Sequence, residues 1–180
     1  TFGYGWTDSK LEEFVDEEFA ILQCPEACYE TLPGSDEFTP AAIALRNQLG
    51  DVSGNAAPFV PEHNLNISSF YQKSLNAELD WFLRNDWRWE SKRYATPANL
   101  VYAPPSLVWN SRIGLEAESW TLFAYVNNLT DETSPVQIQD FPLFDAAVSP
   151  AGPAGTVLPN AFSILPRQSR NFGVQAQYRF

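Results

Sequence analysis

Phe172-Gly173-Val174-Gln175-Ala176-Gln177-Tyr178-Arg179-Phe180 alternates without a break. Phe172, Val174, Ala176, Tyr178 and Phe180 fall on one side of an extended chain, and Gly173, Gln175, Gln177 and Arg179 on the other, because successive strand side chains point to opposite faces. One face suits lipid and the other suits water. The same pattern recurs upstream. In 78–93, Leu79, Trp81, Leu83, Trp87 and Trp89 share a face interrupted by Asn85, opposite Asp80, Phe82, Arg84, Asp86, Arg88 and Glu90. Tryptophans alternating with charges are hard to place in a water-soluble core.

Period two also predicts strands at 1–14, 62–74, 106–117, 120–130 and 170–180, six in all. In the first, Phe2, Tyr4 and Trp6 oppose Gly3, Gly5 and Thr7; in the fifth, Trp120, Leu122, Ala124 and Val126 oppose Thr121, Phe123, Tyr125 and Asn127. The connections alternate in length: long over 15–61, tight near Ser74 to Ala77, intermediate over 94–105, tight near Glu118 and Ser119, long over 131–169. Short turns on one side and long loops on the other are the habit of bacterial outer-membrane barrels. The expected fold is therefore all-β, a segment of an antiparallel up-and-down transmembrane β-barrel of about six strands. Its long loops, 15–61 and 131–169, are expected outside the cell, and Phe180 in the periplasm.

Composition agrees. Six Trp, seven Tyr and thirteen Phe make 14% aromatics, while mean hydropathy is −0.26. No apolar run approaches the roughly 18 residues of a spanning helix. The net charge of −11 argues against nucleic acid as a partner. Ten acids (Asp8, Glu12, Glu13, Asp16, Glu17, Glu18, Glu26, Glu30, Asp36, Glu37) crowd the N-terminal fifth with only Lys10 against them. They read as a solvated acidic loop, with a calcium or other cation site as the alternative.

Within the first long loop, Thr39 can cap a short helix, Pro40 suits its first position, Ala41 to Leu49 propagate it and Gly50 can end it. The second, with Pro150, Gly152, Pro153, Gly155 and Pro159, is expected to lack an ordered core. Cys24 and Cys28 are the two cysteines and His63 the one histidine, so a zinc set is lacking. A local Cys24–Cys28 disulfide in an oxidising compartment is expected, with two free thiols as the alternative. There is no Ser/His/Asp order and no phosphate-binding glycine loop, so no catalytic residues, cofactor or metal site are assigned and an enzyme is not expected.

Three stretches together resemble the C-terminal part of the TonB-dependent receptor family. They are Gly54-Asn55-Ala56-Ala57-Pro58-Phe59-Val60-Pro61-Glu62-His63-Asn64-Leu65, then Tyr125-Val126-Asn127-Asn128-Leu129-Thr130-Asp131-Glu132, then Pro166-Arg167 with the final strand. The resemblance implies a twenty-two-stranded barrel with an N-terminal plug, of which residues 1–180 are the C-terminal part and the plug and earlier strands are absent. It implies a Gram-negative outer-membrane receptor importing a scarce solute such as a siderophore, cobalamin or oligosaccharide. The partners implied are outer-membrane lipid, a small-molecule ligand and a TonB-type energy-coupling protein reached through the missing N-terminal part with its TonB box. Asn127, Asn128, Leu129 and Asp131 are read as a structural motif where a strand leaves the membrane. Tyr178 and Phe180 are read as a barrel-end signal. The rival readings are a soluble carbohydrate-binding β-sandwich, with Trp87, Trp89 and Trp109 stacking on sugars, and a passive outer-membrane channel.

Overall fold

The computed structural model describes residues 1–142 and 160–180. Its strands are β1 (Phe2–Trp6), β2 (His63–Ser74), β3 (Asp80–Glu90), β4 (Arg93–Tyr94), β5 (Tyr102–Ala103), β6 (Ser106–Glu116), β7 (Trp120–Asn127), β8 (Gln137–Pro142), β9 (Asn160–Leu165) and β10 (Asn171–Tyr178). Helices α1 (Glu17–Gln23) and α2 (Pro40–Leu49) flank a single 3-10 turn, Glu26–Tyr29. Six strands form one open sheet in the order β1-β2-β3-β6-β7-β10, every neighbour antiparallel. This is an up-and-down meander, with β1 and β10 at its two edges.

Register puts like residues side by side. Leu65, Trp89 and Leu107 align across three strands, as do Ile67, Trp87 and Trp109, and as do Leu83, Ile113, Ala124 and Val174. On the reverse side Ser68, Asp86 and Asn110 align. A slip of one residue would turn every one of these side chains over, so the two-faced pattern itself fixes the pairing. The apolar side is bare: Phe172 is 81% exposed, Val174 72% and Ile113 53%. A soluble sandwich would bury such a side against a second sheet, and among the described residues none covers it.

The polar side carries its own bonds. Arg84 forks onto Asp86 at 2.9 and 3.2 Å, and the Ser68 hydroxyl donates to Asp86 at 2.7 Å. Nearby, Phe82 packs between Phe70 and Phe123, ring centroids 6.0 and 6.3 Å apart. Gly114 makes room for this group: a Cβ there would lie 2.5 Å from Phe123 Cβ and 2.8 Å from Phe82 Cε1.

At one end of the sheet the chain turns tightly. Leu75 N–H donates to Leu79 O at 2.8 Å, and Ala117 N–H to Trp120 O at 2.8 Å. The long connections all leave the opposite end, and three of them depart from expectation. The first strand stops at Trp6 instead of residue 14: beyond Thr7 the chain still runs antiparallel to 51–56, but only through isolated bridges at Lys10↔Ala56 and Val15↔Asp51. Pro58 and Pro61 lie opposite the gap and supply no N–H for a continuous ladder. The connection 94–105 contains the small β4–β5 ladder. In the loop over 131–169, expected to lack an ordered core, β8 pairs with β9 from Gln137↔Leu165 to Pro142↔Asn160. Ile138 of that hairpin, 7% exposed, is buried with Ala95 and Ala103 beside β4 and β5. Alternation in Gln137-Ile138-Gln139 is too short to read as a strand, and the covering surface comes from another loop. The Pro- and Gly-rich residues 150–159 lie outside the described residues.

Helix α2 matches its expected bounds. Thr39 Oγ1 accepts from Ala42 N–H at 3.2 Å, Pro40 opens the helix, and Gly50 N–H closes it on Arg46 O. Helix α1 is an addition, capped by Asp16 Oδ1 accepting from Phe19 N–H at 3.0 Å. Seven residues with two acids in the first turn gave too little periodicity to distinguish a helix from an acidic loop.

Candidate functional site at the loop-bearing rim

Where β7 ends, Asn127-Asn128-Leu129-Thr130-Asp131-Glu132 folds into a tight hydrogen-bonded turn. Asn128 has φ +54 and Asp131 φ +54, left-handed positions that Asn and Asp tolerate better than most residues. Asn128 is 4% exposed. Its Oδ1 accepts from Glu132 N–H at 2.8 Å, and its Nδ2 donates to Glu132 O and to Gln168 O, both at 3.0 Å. Its own N–H donates to Asn110 Oδ1 at 2.9 Å. Through its side-chain amide and its backbone N–H together, Asn128 thereby joins β7, β6 and the lead into β10. Asp131 Oδ1 accepts from Arg170 N–H at 2.9 Å, Asn127 Nδ2 donates to Asn171 Oδ1 at 3.1 Å, and Leu129 N–H donates to Trp109 O at 2.7 Å.

Glu132 extends the join to β6. Its Oε2 accepts from Leu107 N–H at 3.0 Å and its Oε1 from Ser134 N–H at 2.8 Å. Burial pushes this carboxyl up, but the bonds from the Ser134, Leu107 and Thr133 backbone and the Ser134 hydroxyl outweigh it. The net effect holds it below the ordinary carboxylate value.

Two arginines and one asparagine connect the loops to one another. Arg93 donates to Val136 O at 2.6 Å and to Pro135 O at 3.1 Å, and lies 3.4 Å from Glu90 at the end of β3. Arg167 donates to Ser134 O at 3.2 Å and lies 3.9 Å from the same Glu90 carboxylate. Asn99, at φ +57, accepts from Ala56 N–H at 3.0 Å and donates to Ala56 O at 2.9 Å. All three long connections are thus fastened to the rim or to each other.

Further out in the first connection, Cys24 and Cys28 are joined as a disulfide, Cα atoms 5.7 Å apart. Cys28 is fully buried. Arg46 of α2 donates to Cys28 O at 3.1 Å and stacks its guanidinium on Phe38, 3.9 Å from the ring centre, with Tyr29 at 5.2 Å. The ten acids spread around this unit: among the described residues no three potential ligands converge, so the cation alternative has no ligand set.

The structure brings Asn127, Asn128, Leu129 and Asp131 together at one rim. Tyr178 and Phe180 stand at the other, ring centroids 5.1 Å apart, with Phe180 fully exposed. Arg93 and Asn99 carried no functional reading in the sequence, while Glu90 was read only as part of a strand's polar face and Glu132 only as the end of the family-like stretch 125–132. Pro97-Ala98-Asn99 held a turn signal, whereas Glu90 and Arg93 lie close to their partners only after the strands align.

A two-faced antiparallel meander with tight turns at one end and long, mutually fastened loops at the other is the wall of an outer-membrane-type β-barrel. The family model described as TonB dependent receptor-like, beta-barrel matches residues 26–129, more than half of the chain. The chain belongs to this family of TonB-dependent receptor barrels, which are transporters of the Gram-negative outer membrane and not enzymes.

Proposed function

We propose that residues 1–180 form the C-terminal wall of a TonB-dependent receptor in the outer membrane, and that its long loops capture a scarce solute at the cell surface before energised import. The observation that carries this reading is the loop-bearing rim, where Asn99, Arg93, Arg167 and Asn128 tie three connections into one surface above the strands. Loops held so firmly present a fixed binding surface, which reduces the ordering entropy lost when a ligand binds. A plug and a TonB-contacting segment, supplied by other parts of the receptor, would couple capture to transport. No reacting group is required.

Cysteine labelling of intact cells tests the topology. With a membrane-impermeant maleimide, Ser35→Cys in the first loop labels in whole cells, whereas Asn76→Cys in the tight turn labels only after lysis. Labelling of Asn76→Cys alone in whole cells would invert the barrel and remove the loops from the surface. Solute uptake that persists after loss of the TonB-type partner would favour the passive channel.

A further inference from the structure

On β3 the apolar side runs Trp81, Leu83, Asn85, Trp87, Trp89, with the amide in the middle. The register partners of Asn85 on either side are Ser69 of β2 and Ser111 of β6. Three hydrogen-bonding side chains therefore stand side by side at the centre of a mainly apolar surface, whose charged or ionisable members, His63 and Lys73, lie towards the ends of β2. One bond is internal: Trp109 Nε1–H donates to Asn85 Oδ1 at 3.1 Å, which turns Nδ2 away from the indole. Among the described residues, Nδ2 of Asn85 and the hydroxyls of Ser69 and Ser111 have no side-chain partner. Hydrocarbon offers them none, and polar groups at membrane depth normally face protein or a water-filled cavity.

We propose that the outer side of β2, β3 and β6 is a contact surface for a second copy of this chain within the membrane, centred on Asn85. The inference rests on the membrane reading of the apolar side given above. A closed pair of copies inserted in the same direction is related by a two-fold axis along the membrane normal, and such an interface pairs each patch with itself at equal depth. Strands in barrels are tilted, so the row Ser69, Asn85, Ser111 is inclined and crosses its copy at the middle residue. An amide is self-complementary there: each Nδ2–H donates to the opposite Oδ1, which keeps a lone pair beside the one Trp109 uses. Ser69 and Ser111 flank the pair as further donors and acceptors. Around them Leu83, Ile113 and the tilted Trp87–Trp109 pair, centroids 5.6 Å apart, supply broad apolar contact. A lipid tail could match the apolar rim of this patch but not its centre.

The test uses the full-length receptor in its native outer membrane. Ser111→Cys treated with a short, lipid-permeable bifunctional maleimide should give a cross-linked species of twice the receptor mass, and Val174→Cys, on the same side of β10 but two strands from Ser111, should not. In mild detergent the dimeric fraction measured by native mass spectrometry should fall roughly tenfold in Asn85→Leu, the scale of one or two intramembrane hydrogen bonds. No dimer in wild type and no cross-link at Ser111→Cys overturns the proposal, and the cross-link result holds even if Asn85→Leu fails to fold. A cross-link to a protein of another mass also overturns it. Failure of the underlying membrane reading would show separately, as reaction of Val174→Cys with a water-soluble maleimide.

Discussion

Asn128 and Glu132 grip each other twice: the Asn128 carboxamide accepts from Glu132 N–H at 2.8 Å and donates to Glu132 O at 3.0 Å. The side chain imitates a strand partner and closes the turn from within. Because its second donor bond reaches Gln168, the grip also sets where the chain re-enters the sheet as β10. Asn128→Ala removes all three side-chain bonds at a buried site and keeps the left-handed backbone, a loss of about 3 kcal/mol at about 1 kcal/mol per bond. Asn128→Gly recovers about 1 kcal/mol of that by relieving the backbone. The urea midpoint of the folded receptor should therefore fall in the order wild type, Gly variant, Ala variant. Equal midpoints for all three would show that the turn holds without the amide.

Glu132 makes the same rim sensitive to acid. Its folded carboxyl lies below the ordinary value of 4.5, so the folded state binds its proton less readily than the unfolded chain. A depressed pKa contributes stability above the unfolded value and loses it as pH falls through the folded one. The contribution of Glu132 to stability should be complete from neutral pH down to about 5.5 and be lost progressively below about 4.5. In Glu132→Gln, which keeps one acceptor oxygen, stability at neutral pH should be lower and this part of the acid decline absent. An unchanged acid profile in the variant would assign the decline to other carboxylates.

The strands were legible because lipid on one side and water on the other impose period two on every membrane residue, and Trp81 to Glu90 carries that period almost without fault. Thr39, Pro40 and Gly50 announced α2 through local backbone chemistry, for which sequence neighbours suffice. What escaped was non-local. The β8–β9 hairpin depends on Ala95 and Ala103, more than thirty residues upstream of Ile138, to bury that side chain. Asn128 was readable as a turn residue, but its partner Gln168 lies forty residues away across a long loop. Glu90 and Ser106 meet because β3 and β6 align, which no pattern inside either strand encodes.

The disulfide should matter to the loop and not to the barrel. Closing a loop of so few residues restricts the unfolded chain little, about 2 kcal/mol by loop-closure entropy. Arg46, donating to Cys28 O and stacking on Phe38, holds the same region by other means. With Cys24→Ser, protease added to whole cells should cut within 17–50 several times faster, while the amount of folded barrel stays within error of wild type. Loss of folded barrel would show that the loop unit is needed for assembly.

Gly114 provides the converse case, a barrel position with no loop contact. A methyl group there meets Leu122 O at 2.6 Å as well as Phe123 and Phe82, two of them atoms of the neighbouring strand held by its ladder. Overpacking of this kind costs about 1–3 kcal/mol. Gly114→Ala should lower the urea midpoint, leave ligand affinity of the remaining folded receptor unchanged, and be partly rescued by Phe82→Leu, which vacates the ring edge. Absence of rescue would place the strain on the strand backbone alone.

Phe180 stands at the opposite rim from all of the loops, and its predicted role is assembly. Its ring meets Tyr178 edge-on at 5.1 Å, beyond the last ladder pair, Tyr178↔Trp120. Tyr178, Trp120 and Phe180 together would form part of the aromatic girdle that marks a membrane interface. The strand that carries Tyr178 and leads to Phe180 is also an open edge, and only pairing with another strand of the complete barrel removes its exposed backbone groups. A fully exposed aromatic beside such an edge is available to the machinery that inserts the barrel before closure. Deleting Phe180 from the full-length protein should therefore reduce folded receptor in the outer membrane several-fold, while the molecules that do fold bind solute with near wild-type affinity, since the loops they use leave the far end of the sheet. The two readouts are surface abundance by immunodetection and ligand affinity per folded molecule. Normal abundance with lost affinity would move the binding surface to the turn-bearing rim and refute the assembly role.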